Sequence, residues 1–325
     1  MKHLGDICKI NGGDREITES CNKVKVPGGN MKVLSLFDGI SCGMVALERA
    51  GISVERYVAY EIDENAIKVS KHNYPFIEHR GDVTNADFSE YIGFDAVIAG
   101  FPCQDLSINK RDRKGLNGER SGLFWFLVKA LQIIKPKWFL IENNHKMPES
   151  DKKIISETIG VEPVLVNSSS VSAQSRWRLY WTNIPLIYPF SDKRLCVKDI
   201  LCFDAKEDNL IDEVRFNGKE NEKAYCNKTK RIGTIGNGGQ GERVYSIYGK
   251  STNLTANGGG RGAKTGLYLI GDCVRKLTPI EAERLQTLPD NYTDCVVASG
   301  KRIGLCGNGW TVDVIAHILK GLKEE

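Results

Sequence analysis

From Met31 onward, hydrophobic and polar positions alternate in a way that predicts strands and helices following one another. Short β-branched and apolar runs such as KVLSLF and VERYVAYE are typical of buried strands. SCGMVALERAG, between them, starts with a serine and ends with a glycine, which predicts a helix. The alternation continues to about residue 184, so we predict an α/β fold with a doubly wound, parallel sheet. Its ligand site is expected at the carboxyl ends of the strands.

The pattern changes after Pro185. Residues 186–270 are polar, and eleven of the 33 glycines lie between Gly233 and Gly266, which excludes a dense helical core. We predict a smaller, β-rich inserted module there. TPIEAERLQTLPDNY and TVDVIAHILKGL are helical again and predict a return to the first domain. The expected units are a tail at 1–30, a catalytic and cofactor-binding domain at 31–185, an insertion at 186–270 and a returning segment at 271–325.

Composition narrows the class of protein only slightly. The chain is 41% hydrophobic and 26% charged, and its net charge of +4 permits an anionic partner without demonstrating one. None of the ten cysteines forms a C-x-x-C pair, which excludes the usual zinc and thioredoxin spacings and fits a reducing compartment. No apolar run approaches the roughly 18 residues that cross a bilayer. We therefore expect a cytoplasmic protein.

Three features after the first three strands predict an adenosine-containing ligand. The loop LFDGISCG opens the first helix, where backbone N–H groups can face a ligand, although it lacks the G-x-G-x-x-G spacing of dinucleotide sites. Glu61 ends the second strand, 22 residues after Gly39, where an acid can bind ribose hydroxyls. Asp82 can accept a hydrogen bond from an adenine amino group. Read separately, these features are only a turn and two surface acids.

Two further strands carry a thiol and an acid. FPCQ follows the fourth strand and brings Cys103, whereas LIENN ends the fifth with Glu142. Because these strand ends open onto one cleft, the thiol can act as nucleophile and the acid can transfer a proton. QSRWR adds Gln174, Arg176 and Arg178, which alternate by two and so face one side of a strand. A core cysteine, a surface acid and solvated arginines are the simpler readings, but the order of all five favours a site.

In this order, the motifs resemble those of the cytosine-C5 DNA methyltransferases, especially the compact phage and restriction–modification members. The resemblance covers about residues 31–185 and 273–322, and it includes RKLTPIEAERLQTLPDNY and GNGWTVDV. It implies a Rossmann-like methyltransferase sheet and S-adenosylmethionine as cofactor. The cofactor-binding residues that it implies are Phe37, Asp38, Gly39, Ile40, Gly43, Glu61, Ile62, Asp82, Val83, Pro102, Leu123, Asn308 and Trp310.

The resemblance also implies catalytic roles. Cys103 would attack C6 of the target cytosine, and Glu142 would bind the N3 and amino edge of the base. Arg178, supported by Arg176, would hold the O2 side and favour the thiolate, since cations lower a thiol pKa. No metal is required.

The expected substrate is double-stranded DNA, from which the target base has to be flipped. The basic run after Cys103 would close over the DNA, and the insertion would be the target recognition domain. The resemblance to restriction–modification members makes a cognate restriction endonuclease a possible partner, but the sequence does not reveal whether one exists. We expect a monomer. The DNA-contact candidates are Gln104, Ser107, Lys110, Arg111, Arg113, Lys114, Arg120, Gln174, Arg215, Lys228, Lys230, Arg231, Arg243 and Arg261.

The sequence departs from the family at a few positions and leaves alternatives open. Asn144 replaces the valine after Glu-Asn, and Ser41 and Cys42 replace glycine in the first loop. A tRNA cytosine-5 methyltransferase would share the catalytic motifs. A catalytically silent DNA-binding protein would share the fold, but it should have lost Cys103, Glu142 or the loop. A nicotinamide-dependent dehydrogenase leaves PCQ and QSRWR unexplained.

Overall fold

The structure, a computed structural model, describes residues 30–102, 121–187, 190–202, 205, 209–217, 227–258 and 260–323. Within these residues, no helix has both the length and the apolar character needed to cross a membrane. The strands and helices are β1 (Met31–Leu36), α1 (Cys42–Ala50), β2 (Val54–Tyr60), α2 (Glu64–Asn73), β3 (Glu78–His79), β4 (Ala96–Ala99), α3 (Phe124–Ile134), β5 (Trp138–Asn144), α4 (Glu149–Ile159), β6 (Val164–Asn167), β7 (Trp177–Thr182), β8 (Arg215–Phe216), β9 (Arg231–Thr234), β10 (Arg243–Ser246), β11 (Leu267–Ile270), β12 (Cys273–Lys276), α5 (Pro279–Leu285), α6 (Ser299–Asn308) and α7 (Val312–Leu319).

The larger sheet has the strand order β3-β2-β1-β4-β5-β7-β6. Strands β1 to β5 pair in parallel, so their carboxyl ends meet at one edge. The doubly wound α/β fold is thereby confirmed. The expectation that every strand is parallel does not hold at β7, which is antiparallel to both β5 and β6. The short connection between β6 and β7 explains the difference, since a parallel pair needs a longer crossover.

Both faces of this sheet are covered, as the uninterrupted apolar runs in the strands require. Val33 belongs to the core cluster that contains residues of α1, α2, α5, α6 and α7, whereas Leu34 belongs to the cluster of α3 and α4. Tyr57 and Val58 on β2 divide in the same way, because successive strand residues face opposite sides. Helices α1 and α7 pack together, which returns the late segment of the chain to the first domain.

The insertion forms a second sheet of order β12-β11-β10-β9-β8, as its composition predicted. One face has its own small core, which includes Val244 and Leu267. On the other face, Tyr245 and Tyr268 join the core of the first domain. The sheet extends to Lys276, beyond the boundary that we predicted at residue 270. The insertion therefore has a core of its own and also packs on the first domain.

Lys250 ties the insertion to the segment that precedes β7. Its side chain is buried, and Nζ donates to the carbonyl oxygens of Ser169, Ser172 and Leu195 at 2.5, 3.0 and 2.6 Å. Next to it, Ser251 forms a β-bridge with Gln174. Three carbonyl acceptors compensate the cost of burying the ammonium group. The contacts fix the start of the QSRWR motif against the second sheet.

Candidate active site

A cavity of about 300 Å³ opens at the edge where the parallel strands end. Its position follows from the strand order, since ligands of doubly wound folds bind outside the carboxyl ends of the strands. The structure brings residues from distant parts of the chain to its wall. The sequence-predicted residues that line it are Phe37, Gly39, Ile40, Glu61, Ile62, Asp82, Val83, Pro102, Leu123, Glu142, Arg176, Arg178 and Asn308.

Glu61 is held rigidly at the tip of β2. Its Oε2 accepts from the backbone N–H of Gly39 at 2.7 Å, and Oε1 accepts from those of Ile62 and Asp63 at 2.8 Å each. These bonds join the first loop to the second strand. A carboxylate has about four acceptor sites, so one remains for a hydroxyl group of a ligand.

The far end of the cavity suits a planar base with an amino group. Ile62 is 70% exposed there, and Phe37 and Val83 add apolar wall. Asp82 is exposed, and its Oδ1 accepts from Thr84 N at 2.9 Å. Together with Glu61, this arrangement of apolar wall and fixed carboxylates fits the adenosine part of S-adenosylmethionine.

The Asp38 side chain does not line the cavity, although we predicted it as a cofactor contact. Its carboxylate accepts from Ser35 Oγ at 2.6 Å, Tyr57 OH at 2.7 Å and Ser41 Oγ. Burial raises the pKa of Asp38 to about 6, against the lowering effect of those hydrogen bonds. Hydroxyl groups from the protein thus occupy the carboxylate.

Ser41 explains one departure from the family pattern. It lies in the left-handed region with φ of 59°, where glycine is normally preferred. Its hydroxyl bonds to Asp38 and lies 2.6 Å from Ser70 Oγ. These bonds compensate the backbone strain that the replacement of glycine introduces.

Glu142 and Arg178 form a buried ion pair in the cavity wall. Arg178 Nε lies 2.7 Å from Glu142 Oε1, and the exposed fractions of the two side chains are 12% and 11%. Arg178 Nη1 also donates to Trp177 O at 2.8 Å. The antiparallel register pairs Arg178 with Asn144, so the start of β7 meets the end of β5. The predicted acid and arginine therefore meet at the edge of the sheet.

Trp310 contacts the same carboxylate from behind. Its Nε1–H donates to Glu142 Oε2 at 3.1 Å, and its side chain is buried. We predicted Trp310 as a cofactor contact, but it is not among the residues that line the cavity, because its indole lies behind Glu142. Gly43 is likewise behind the wall, where Tyr57, Ile98 and Trp310 surround it.

Arg176 is buried and supports the site from the other side. Its Nη1 donates to Asn253 Oδ1 at 3.1 Å and to Leu254 O at 3.3 Å. Its Nη2 donates to Gly307 O at 3.3 Å and to Gly309 O at 2.9 Å. Arg176 therefore joins the insertion to the segment that carries Asn308 and Trp310.

Gln174, which we predicted as a DNA contact, is fully buried. Its Oε1 accepts from Leu254 N at 2.8 Å, and Nε2 donates to Leu285 O and Gln286 Oε1, both at 3.3 Å. Protein groups satisfy the amide, so in this structure the side chain joins elements and does not reach the surface.

Two further residues shape the site but were not assigned a role from the sequence. Gln286 is fully buried, and its Nε2 donates to Cys306 O at 2.6 Å. Asn143 lines the cavity and donates to Phe101 O at 3.1 Å, which steadies the turn before Pro102. Asn143 directly follows Glu142 in the ENN motif, and this position could have indicated that Asn143 belongs to the site. Asn144 stands where the family has valine. Its Oδ1 accepts a hydrogen bond from Lys146 N at 3.1 Å, which stabilises the turn that follows.

Some predicted residues lie outside the described part of the chain, which stops at Pro102 and resumes at Ser121. In the insertion, Arg243 lines a second cavity of about 360 Å³, and its buried Nε has no hydrogen-bond partner among the described residues. Arg261 forms an ion pair with Glu213. The predicted residues outside the described ranges are Cys103, Gln104, Ser107, Lys110, Arg111, Arg113, Lys114 and Arg120.

Comparisons with known proteins agree with this geometry. Residues 31–324 match the family described as C-5 cytosine-specific DNA methylase. The chain is 31% identical over 310 residues to the type II methyltransferase M.HhaI of Haemophilus parahaemolyticus, which covers 89% of this chain and 93% of that protein. It is 27% identical over 312 residues to the type II methyltransferase M.NlaX of Neisseria lactamica, covering 90% and 96%.

The fold is similar to that of the Entamoeba histolytica methyltransferase EhMeth, with a TM-score of 0.67 and 17% identity over 91% of this chain and 99% of that one. The chain therefore belongs to the C-5 cytosine-specific DNA methylase family, whose enzymes take the methyl group from S-adenosylmethionine.

Proposed function

We propose that this enzyme methylates C5 of a cytosine flipped out of duplex DNA, with Cys103 as its nucleophile. The observation that carries the proposal is the Glu142–Arg178 ion pair. It lies in the wall of the same cavity that is lined by the residues predicted to bind the adenosine part of the cofactor. A base bound against this pair would lie next to the methyl donor. Pro102 lines the same cavity, and Cys103 is the next residue in the chain.

The reaction needs a nucleophile because C5 of cytosine attacks a methyl group poorly. When bound, S-adenosylmethionine supplies the methyl group. The Cys103 thiolate forms a bond to C6, which pushes electrons towards C5 and the N3 edge. Glu142 binds the N3 and amino edge, and Arg178 balances the charge on the O2 side. After methyl transfer the C5 proton is lost to a base, the bond between sulfur and C6 breaks, and the thiolate is restored.

The enzyme also has to hold DNA with one base extruded, at a cost of a few kcal/mol in pairing and stacking. We propose that the basic segment 104–120 closes over the DNA and contacts phosphates. The second sheet is proposed as the target recognition domain. Arg243 is its best-supported contact residue, because its buried Nε lacks a protein partner among the described residues.

The proposal extends to partners and location. The relatives named type II methyltransferases support a cognate restriction endonuclease as a partner. We expect the methyltransferase to be a monomer in the cytoplasm, where it can reach DNA. Light scattering after size exclusion should give the mass of one 325-residue chain.

The test is expression in a host without DNA methylation, followed by base-resolution mapping of 5-methylcytosine. We expect methylation at one short recurring sequence, and none with Cys103→Ala. Transfer of labelled methyl groups to duplex DNA and to tRNA, measured side by side, separates the two candidate substrates. The absence of new methylation with a folded protein, or full activity of Cys103→Ala, would contradict the proposal.

A further inference from the structure

We propose that Trp310 is a positioning residue that orients the Glu142 carboxylate and steadies the turn leading to the proposed nucleophile. The inference rests on the proposed function, since it concerns how the same site is held. Trp310 comes from the late segment of the chain, 168 residues away from Glu142. Its indole nevertheless lies next to Glu142 on β5 and next to Gly100, the residue that follows β4.

The indole occupies a slot that exists because Gly100 has no side chain. A Cβ atom on Gly100 would lie 2.7 Å from Trp310 Nε1 and 3.2 Å from Cε2, closer than such atoms approach. A Cβ atom on Gly43 would lie 3.6 Å from Cζ3, an ordinary van der Waals distance, so Gly43 lies close to the ring but does not restrict it. Gly100 follows β4 and precedes Pro102 by two residues. The ring therefore packs directly against the backbone that leads to Cys103.

The indole N–H is aimed at the carboxylate. Nε1 donates to Glu142 Oε2 at 3.1 Å, whereas Arg178 Nε donates to Oε1 at 2.7 Å. Each oxygen thus has its own donor, and both donors are largely buried. The terminal torsion of a glutamate is otherwise broad and roughly two-fold. Two donors on opposite oxygens restrict it to one orientation, which leaves the remaining lone pairs for a bound base.

The backbone around Trp310 is itself fixed. Gly309 O accepts from Arg176 Nη2 at 2.9 Å and from Gln286 Nε2 at 3.2 Å. Thr311 Oγ1 donates to Gln286 Oε1 at 2.8 Å. Arg176 therefore holds the backbone next to Trp310, and through it supports the position of the indole.

The test is Trp310→Phe, which keeps an aromatic ring in the slot but removes the N–H together with part of the ring; the control below loses the same ring volume. We expect kcat for DNA methylation to fall about 10- to 100-fold, the range for loss of a hydrogen bond to a charged group. The KM for DNA and the Kd for S-adenosylmethionine should change less than about threefold, because binding contacts remain.

Trp181→Phe is the matched control. Trp181 is fully buried on β7, and its Nε1 donates to Ser156 Oγ at 3.0 Å on the other face of the sheet. It loses an equivalent bond and should leave kcat unchanged. If both variants lower kcat alike, Trp310 acts by packing alone and the proposal fails. If Trp310→Phe weakens cofactor binding with kcat unchanged, Trp310 is a cofactor contact and the proposal also fails.

A readout independent of activity separates this proposal from the proposed function. The chain has five tryptophans, so 15N-tryptophan labelling gives five indole N–H resonances. Trp310→Phe identifies the Trp310 resonance, and Glu142→Gln should shift that resonance more than the other four. An unmoved resonance overturns the proposal even if the enzyme methylates DNA. A shifted one supports it even if DNA is not the substrate.

Discussion

Arg178 and Glu142 pair across neighbouring antiparallel strands, with Nε 2.7 Å from Oε1 and both side chains close to 90% buried. The strand carrying the arginine begins where the strand carrying the acid ends. The cavity wall shields both groups from most of the water. Each charge therefore stabilises the other, because a single buried charge is costly.

Removing Arg178 should therefore impair both stability and catalysis. For Arg178→Ala we expect the free energy of unfolding to fall by about 3 kcal/mol, and kcat to fall by about 100-fold or more. The double variant with Glu142→Gln should lose less stability than the sum of the single variants, because it leaves no unpaired charge. Urea unfolding of the four proteins measures this, and additive losses would contradict a coupled pair.

Glu61 should control cofactor affinity. Glu61→Gln keeps the shape but replaces one acceptor oxygen with an NH₂ group, so it cannot accept from Gly39 N and from Ile62 N and Asp63 N together. We expect the Kd for S-adenosylmethionine to rise about 10- to 100-fold, as measured by calorimetry. Glu78→Gln is the control, since Glu78 pairs with Arg56 outside the cavity. Equal effects of the two changes would contradict the assignment.

Asp38 should make stability depend on pH in an unusual direction. Burial raises its pKa from 3.8 to about 6, so the folded protein holds this proton more tightly than the unfolded chain. Stability from this group is present below pH 4 and is lost as the pH rises towards 6 and above. Relative to Asp38→Asn, the parent should lose about 2 kcal/mol between pH 4 and pH 7. Chemical unfolding across this range measures the difference, and a constant difference would contradict the shift.

Gly100→Ala should damage the site through Trp310. The new methyl group would meet the indole at 2.7 Å and displace either the ring or the turn before Pro102. We expect kcat to fall at least about tenfold. Gly321→Ala is the matched control, because its methyl group would overlap Pro185 O far from the cavity. It should lower the melting temperature and leave kcat per folded molecule unchanged below that temperature. Normal kcat in Gly100→Ala would show that the slot tolerates the methyl group.

The residues that could be predicted from sequence are those fixed by local position. Glu61 and Glu142 end apolar strand runs, and the ends of parallel strands meet at one edge, so their shared cavity follows from the pattern. The second sheet was predictable for a similar reason, because its glycine content excludes helices.

What could not be predicted depends on contacts between distant segments. Trp310 and Gln174 lie in motifs that suggested ligand contacts, yet Trp310 contacts Glu142 and Gln174 contacts Leu254. The direction of β7 also escaped the pattern, because apolar periodicity is the same for either strand direction. Asp38 turns inward because Ser35, Ser41 and Tyr57 surround it, which the loop sequence alone does not indicate.

The long separation between Trp310 and Glu142 has a consequence for synthesis of the protein. A ribosome releases β1 to β5 well before it makes the indole that orients the acid, and contacts so far apart in the chain form late in folding. A nascent chain that has made only β1 to β5 thus lacks the indole donor to Glu142, and it also lacks Asn308 in the cavity wall. Under the role proposed for Trp310, methyl transfer becomes efficient only after the segment around residue 310 has docked, so we expect partly made chains not to modify DNA efficiently.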